Sequence, residues 1–285
     1  MQRAQTWLQS ELTRIGLANV AAEPFMDYGV TWDNEYASIH RLEPDYTTMI
    51  GYPIAHTAGT EGRVVADAVI VPTRPAPARA IPNPAVMTAV EKVAFYRSES
   101  VAVVMVGAHF DTWHASPHAS DNTSGVAVAL WAGEEQGLFG SRAYGRQHFG
   151  DPRDPTVGVK PAYEKLSAYF NQDYGAGQYR GIYLQGNESA RSMLAAWMEP
   201  FRDLGMTTVS NQSVGSTDHI AFDEVGLPGF QFLQDRTPGT GGHTNVDFLE
   251  GIQAQDLITN ATIMASYVYH AAIADERMPR KAAPR

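Results

Sequence analysis

Histidines and carboxylates recur along this chain at positions where they could do chemistry together. His109 and Asp111 stand in the run Val-Gly-Ala-His-Phe-Asp-Thr-Trp-His, residues 106–114. Asp121-Asn122 follows, then Gly133-Glu134-Glu135, then Asp173 in Phe-Asn-Gln-Asp and His243 in Gly-Gly-His-Thr-Asn. Imidazole and carboxylate are the ligands that suit zinc, and an acid left over from ligation can serve as a base. The sequence contains no cysteine, so a thiolate site is excluded and any zinc must be held by His, Asp and Glu. If these groups converge, the chain is a two-metal hydrolase.

Each signal also has a plainer reading. A His-x-Asp pair after a strand can be a loop histidine bonded to a neighbouring acid; in a metal site the Asp111 carboxylate would take the second ring proton of His109 and fix its tautomer. Asp121-Asn122-Thr-Ser-Gly reads equally as a helix N-cap or as a bridging carboxylate held at a helix start. Glu134-Glu135 is either a solvated pair or one ligand and one base, the base taking the proton of a metal-activated water. Asp173 and His243 are weak alone. Asp218-His219, after Gly-Ser-Thr, is a helix cap or a polar pair facing substrate.

The elements that must position these groups follow from hydrophobic periodicity. Trp7, Leu8, Leu12 and Ile15 mark an N-terminal helix stopped at Gly16. Strands are expected at 19–23, 63–71, 101–107, 166–171, 181–184, 207–210 and 229–233. Helices are expected at 85–97, 188–204 and 252–275, and residues 72–84 form a proline-rich linker. The run 101–107 is continuously apolar, as a buried parallel strand is. His109 and Asp111 then lie just past its C-terminal end, where open α/β sheets bind ligands. Strand–helix alternation predicts an α/β fold: a three-layer sandwich with a mostly parallel central sheet flanked by helices.

Composition narrows the function. At 285 residues and 44% hydrophobic the chain can bury a sizeable core, and its net charge of −10 argues against a nucleic-acid partner. No apolar run approaches the roughly 20 residues of a membrane helix. Residues 1–8 read as the start of an amphipathic helix rather than a signal core, which leaves the compartment open.

Taken together, Gly-Ala-His-Phe-Asp-Thr-Trp-His (107–114), Trp-Ala-Gly-Glu-Glu-Gln-Gly-Leu-Phe-Gly-Ser-Arg-Ala-Tyr (131–144) and Gly-Ser-Thr-Asp-His (215–219) resemble the co-catalytic di-zinc exopeptidases, the aminopeptidase and carboxypeptidase Q family. The resemblance runs from about residue 5 to 280. It implies one zinc-exopeptidase-like domain over 1–285, with a reduced proline-rich insert at about 72–100 where relatives carry a protease-associated domain. It implies two zinc ions: His109 and Asp173 hold one, Glu135 and His243 the other, and Asp121 bridges. Glu134 is then the general base, Asp111 orients His109, and Asp218 and His219 lie near the substrate. The implied reaction is hydrolysis of small peptides by a metal-bridging water, as an exopeptidase or dipeptidase; a homodimer is compatible with it.

Departures from the family pattern also set expectations. Only 12 residues separate Asp121 from Glu134, too few for a full helix and a returning strand, so the sheet is expected to be one helix or one strand poorer there. Gly242 stands where many relatives place His or Tyr. Relatives usually carry a secretion signal. Two rival functions follow: a family remnant with an incomplete metal site, and a single-zinc acyltransferase of the glutaminyl cyclase type.

Overall fold

The computed structural model describes residues 2–25, 37–49, 59–60, 62–66, 88–90, 103–112, 119–125, 130–173, 175–235 and 242–281. The proline-rich linker and the Trp113-His114 dipeptide lie outside the described residues. Strands in chain order are β1 (Ala22–Pro24), β2 (Ile39–Arg41), β3 (Thr47–Met49), β4 (Thr88–Val90), β5 (Val103–His109), β6 (Leu130–Trp131), β7 (Gly150–Asp151), β8 (Gly158–Val159), β9 (Leu166–Asn171), β10 (Tyr179–Tyr183), β11 (Thr208–Ser210) and β12 (Gly229–Gln234). The helices are α1 (Gln2–Arg14), α2 (Phe139–His148), α3 (Arg191–Met198), α4 (His219–Asp223) and α5 (Ala254–Ile273).

The main sheet has the order β1-β4-β6-β5-β9-β12-β10-β11. Its inner part is mostly parallel: β6, β5, β9 and β12 run together, β10 is antiparallel to β12, and β11 is parallel to β10. Alternation along β5 sorts its side chains between two cores, as the period-2 geometry of a strand requires. Val104 and Val106 join Phe170, Phe230, Phe232, Leu194 and Tyr267 under α3 and α5. Met105 joins Trp131, Tyr169, Tyr144 and Phe222 under α2 and α4. Helices thus cover both faces, the three-layer sandwich expected from strand–helix alternation. Each core holds a stacked aromatic pair, Tyr179 on Phe232 at 4.2 Å and Tyr169 on Phe222 at 4.1 Å between ring centroids.

Several elements differ from their sequence pattern. Residues 88–90, expected in a helix, form β4, a strand antiparallel to both β1 and β6; the remainder of 85–97 lies outside the described residues. Residues 63–66 form no strand, and 67–71 are not described. The segment 188–204 is helical throughout but changes pitch: 3₁₀ at Glu188–Ala190, α over α3, and 3₁₀ again at Glu199–Leu204, where Pro200 cannot donate to the α ladder. Leu204, which ends this segment, is exposed. Periodicity gave no notice of α2 or α4.

The connection after Asp121 is described at its two ends, 119–125 and from 130 onward. Among the described residues a 3₁₀ turn occupies Thr123–Gly125, and β6 comprises Leu130–Trp131. That two-residue strand nevertheless pairs on both sides, Leu130 with Ala108 and Val90, and Trp131 with His109. The expected loss of a helix or a strand falls in part on residues 126–129, which lie outside the described residues.

Candidate metal centre

Parallel strands β5 and β9 end side by side, and their C-terminal ends carry the first cluster. His109 is the last residue of β5 rather than a loop residue beyond it, and Asp173 follows β9 by two residues. Both are buried. The sheet can close this tightly because Gly107 lacks a Cβ, which would collide with the Tyr169 hydroxyl and the Trp131 indole nitrogen. Those two groups start a buried polar chain. The Trp131 indole N–H donates to the Tyr169 hydroxyl at 2.7 Å, which donates to Asn171 Oδ1 at 2.6 Å. The Asn171 amide donates to Gln231, whose own amide donates to the Asp173 carbonyl at 2.8 Å. The chain fixes the backbone that presents Asp173.

The other candidates arrive on turns. Asp121, expected at a helix start, sits in a turn just ahead of the 3₁₀ segment, with a cis peptide to Asn122. The Asn122 side-chain amide donates to the Gln172 carbonyl at 2.7 Å, which ties this turn to the one carrying Asp173. Glu134 and Glu135 follow β6 in a turn closed by the Gly137 and Leu138 amides on the Glu134 carbonyl. His243 has a left-handed backbone and a half-exposed side chain.

The distances place Asp121 between the two histidines. Its Oδ1 is 3.3 Å from His109 Nε2 and its Oδ2 is 3.2 Å from His243 Nε2. His109 Nε2 is also 3.6 Å from Asp173 Oδ1 and 3.8 Å from Glu134 Oε2. His243 Nε2 is 2.7 Å from Glu135 Oε2. Two groups of potential ligands result, His109–Asp121–Asp173 and Asp121–Glu135–His243, each with its ligand atoms within 4.8 Å of one another. Asp121 belongs to both.

The donor chemistry fits a divalent cation. Burial normally demands a partner for every polar atom, yet His109 Nε2 and Glu135 Oε1 are buried with no hydrogen bond of ordinary geometry. The three carboxylates and two imidazoles of these groups are what a hard-to-borderline cation selects. The electrostatics show the strain of holding these charges together with protons alone. Burial pushes Glu134 well above the usual carboxylate range, against the pull of His109 and with the push of Asp173, Asp218 and Asp111. Burial also raises Glu135, offset by His243. Burial acts against protonation of His243, but the Asp121 and Glu135 carboxylates lift it to about 10. Asp121 moves the other way: burial opposes its ionisation, and the contacts with His109 and His243 outweigh it.

Two sequence-derived roles change. Asp111 does not take the second ring nitrogen of His109 with its carboxylate, which is 3.7 Å away; the Asp111 backbone carbonyl does so at 2.9 Å. Its carboxylate instead accepts the Glu134 and Glu135 backbone N–H groups at 3.2 and 3.3 Å. The tautomer is still fixed, by the main chain, and the side chain secures the Glu134-Glu135 turn. Asp218 and His219, expected beside substrate, are completely buried at the start of α4. His219 Nε2 meets the Gln185 amide at 2.6 Å and the Val214 carbonyl at 3.1 Å. They form a buried wall near the cluster, close enough for His109 and Asp173 to act on Asp218. Burial raises Asp218 to about 7, with His109 opposing, and lowers His219 to about 4.

Gly242, where relatives often carry a side chain, packs against the cluster: a Cβ there would stand 2.7 Å from Asp121 Oδ2. The sequence reasoning missed Asp247 altogether. Its buried carboxylate accepts the Ser120 and Asp121 backbone N–H groups at 2.8 and 3.0 Å. Its place four residues after His243 is the only trace of this in the sequence.

Comparison with known proteins agrees with the fold and assigns the family. The precursor of a peptidase M28 from Shewanella amazonensis superposes with a TM-score of 0.57 at 23% identity, covering 70% of this chain and 47% of that one. Porphyromonas gingivalis glutaminyl cyclase gives 0.53 at 14% identity, covering 94% and 89%. These likenesses define the architecture, an α/β sandwich of the M28 peptidase type. Peptidase family M28 matches residues 93–131 and 126–268, and this chain belongs to that family. The two matched stretches meet at the shortened connection. Bovine carboxypeptidase Q is 24% identical over 200 residues, 62% of this chain and 40% of that protein. The chain thus spans well under two thirds of that relative's length.

Proposed function

We propose that this chain is a zinc-dependent exopeptidase acting on small peptides, with two ions held by His109, Asp121 and Asp173 and by Asp121, Glu135 and His243. The observation that carries the reading is the Asp121 carboxylate, whose two oxygens face the two histidines separately at 3.3 and 3.2 Å. A capping or packing role asks for nothing of the kind. Zinc bound there supplies Lewis acidity, polarising the scissile carbonyl and lowering the pKa of water to near 7.

The chain's own groups supply the proton transfers. Glu134 stands beside His109 without being a member of either ligand group. Its carboxylate takes a proton from the attacking water as the oxygen–carbon bond forms, and gives it to the amide nitrogen as the carbon–nitrogen bond breaks. Burial raises its proton affinity, which suits a group that must hold that proton between the two steps. Asp111 keeps the Glu134-Glu135 turn in place through its two amide bonds.

Metal content after zinc reconstitution tests the reading against its rivals. Two ions per chain, with release of single residues or splitting of dipeptides, is the expected result. One ion with cyclisation of N-terminal glutamine would favour the acyltransferase, and none would favour the remnant. Glu134→Gln separates base from ligand: both ions should stay while kcat falls about 10²–10⁴-fold. Loss of metal in that variant would mean that Glu134 is itself a ligand.

A further inference from the structure

Asp247 stands outside both ligand groups, yet it joins the turn of the shared carboxylate to the loop of the exposed histidine. Both its carboxylate oxygens are used, one on the Ser120 amide and one on the Asp121 amide. Its own carbonyl accepts the Ala119 N–H at 3.3 Å. Three consecutive amides, 119–121, therefore point at one residue 126 positions away from Asp121 in sequence. The clamp is buried, and hydrogen bonds to an ionised acceptor are the stronger kind.

The Asp121 backbone N–H is held by Asp247, which lies in the segment following His243. The turn is also closed on itself, by the Ser124 amide on Ala119 and the Gly125 amide on Asn122, and is held on its other side to the Asp173 turn by the Asn122 side chain on the Gln172 carbonyl. Asp247 thus links the turn that carries Asp121 to the loop that carries His243. A carboxylate that must reach two ions at once tolerates little displacement.

We infer that Asp247 is a positioning residue for the two-metal centre: its carboxylate sets where Asp121 stands between the two ligand groups and couples the His243 loop to them. The inference rests on the proposed reading of the site. It makes Asp247 a determinant of metal affinity that never touches metal, as supporting partners of ligands often are, with 10–100-fold effects on removal.

Asp247→Asn and Asp247→Ala in the full chain, titrated with zinc and with cobalt(II), test it. Asn keeps the volume and one acceptor oxygen, so about a tenfold weaker uptake is expected, and closer to 100-fold for Ala. The visible absorption of the cobalt form, which reports ligand geometry, should shift in both. Asn260→Ala is the control. Asn260 is equally buried and also holds distant backbone, the Tyr179 N–H at 2.9 Å and the Gly177 carbonyl at 2.9 Å, but away from the cluster. It should lower stability and leave metal uptake and the cobalt spectrum unchanged. Wild-type affinity and spectrum in Asp247→Asn would overturn the inference while leaving the metal centre intact, and this variant decides should Asp247→Ala fail to fold. Wild-type protein that takes up no metal would overturn the reading of the site and this inference with it.

Discussion

The two halves of the cluster are built differently. His109 and Asp173 stand at the ends of central strands, both almost wholly buried, above a continuous chain of buried hydrogen bonds. Glu135 and His243 stand on turns, and the His243 side chain is 48% exposed. One half inherits its geometry from the sheet, while the other must be tied in place by Asp111 and Asp247. The difference teaches that a paired-metal site can be half scaffold and half loop, with the shared Asp121 as the joint. The scaffold half should resist rearrangement, and the loop half should be where metal is gained and lost first.

The largest expected effect comes from removing that joint. Apparent zinc binding of about 10–16 kcal/mol spread over about four ligands is about 3 kcal/mol each, or roughly 100-fold per ligand. Asp121→Ala should cost this in both halves at once and leave no ion bound at micromolar zinc. Equilibrium dialysis with metal analysis measures it. One ion retained at wild-type affinity would show that Asp121 belongs to a single half.

The direct contrast is His109→Ala against His243→Ala. Each should lose one ion. They should part in the metal-free protein, where His109 is the cation facing the Asp121, Asp173 and Glu134 carboxylates in a buried space. Removing it strands those charges, at a cost of about 3–5 kcal/mol. His243 is half exposed, and its loss should change stability by less than about 1 kcal/mol. Urea denaturation in the presence of a chelator gives both values. Equal destabilisation would break the distinction between scaffold and loop halves.

The same division governs what could be read from sequence. The scaffold half was legible: a continuous apolar run marks a buried strand, and an open sheet binds at strand C-terminal ends, so His109 and Asp173 could be placed by pattern. The short connection was legible as a length problem, but not the pairing of Leu130–Trp131 with strands on both flanks, which involves segments distant in sequence. Thr88–Val90 read as a helix because three residues in a strand are too few to show period 2 against a helical background. The loop half depended on contacts between distant segments. Asp247 meets Asp121 across 126 residues, and Asp111 was assigned to His109 when its carboxylate holds the Glu134-Glu135 turn instead. Local spacing carries no record of such bonds. The burial of Asp218 and His219 was hidden for a related reason: a polar pair at a helix start looks the same in sequence whether it faces solvent or is sealed in.

The last effect concerns that buried wall and sharpens the contrast in a different variable. His219 is buried, and burial holds it at about 4 against the ordinary 6.5. The unfolded chain therefore binds a proton that the folded chain refuses between these values. The resulting stability is present above about pH 6.5 and is lost as pH falls toward 4; between pH 7 and 5 the loss is about 2 kcal/mol. His243 has the opposite sign, since the Asp121 and Glu135 carboxylates raise it to about 10. In the metal-free chain its protonated form favours folding below about pH 6.5, and that contribution fades as pH rises toward 10. His219→Gln should therefore flatten the acid limb of the stability–pH curve, and His243→Ala the alkaline limb. Urea midpoints from pH 5 to 9, with chelator present throughout, measure both. An acid limb unchanged in His219→Gln would mean that the wall behind Asp173 admits a charged imidazole, and that the buried half is less tightly built than its packing indicates.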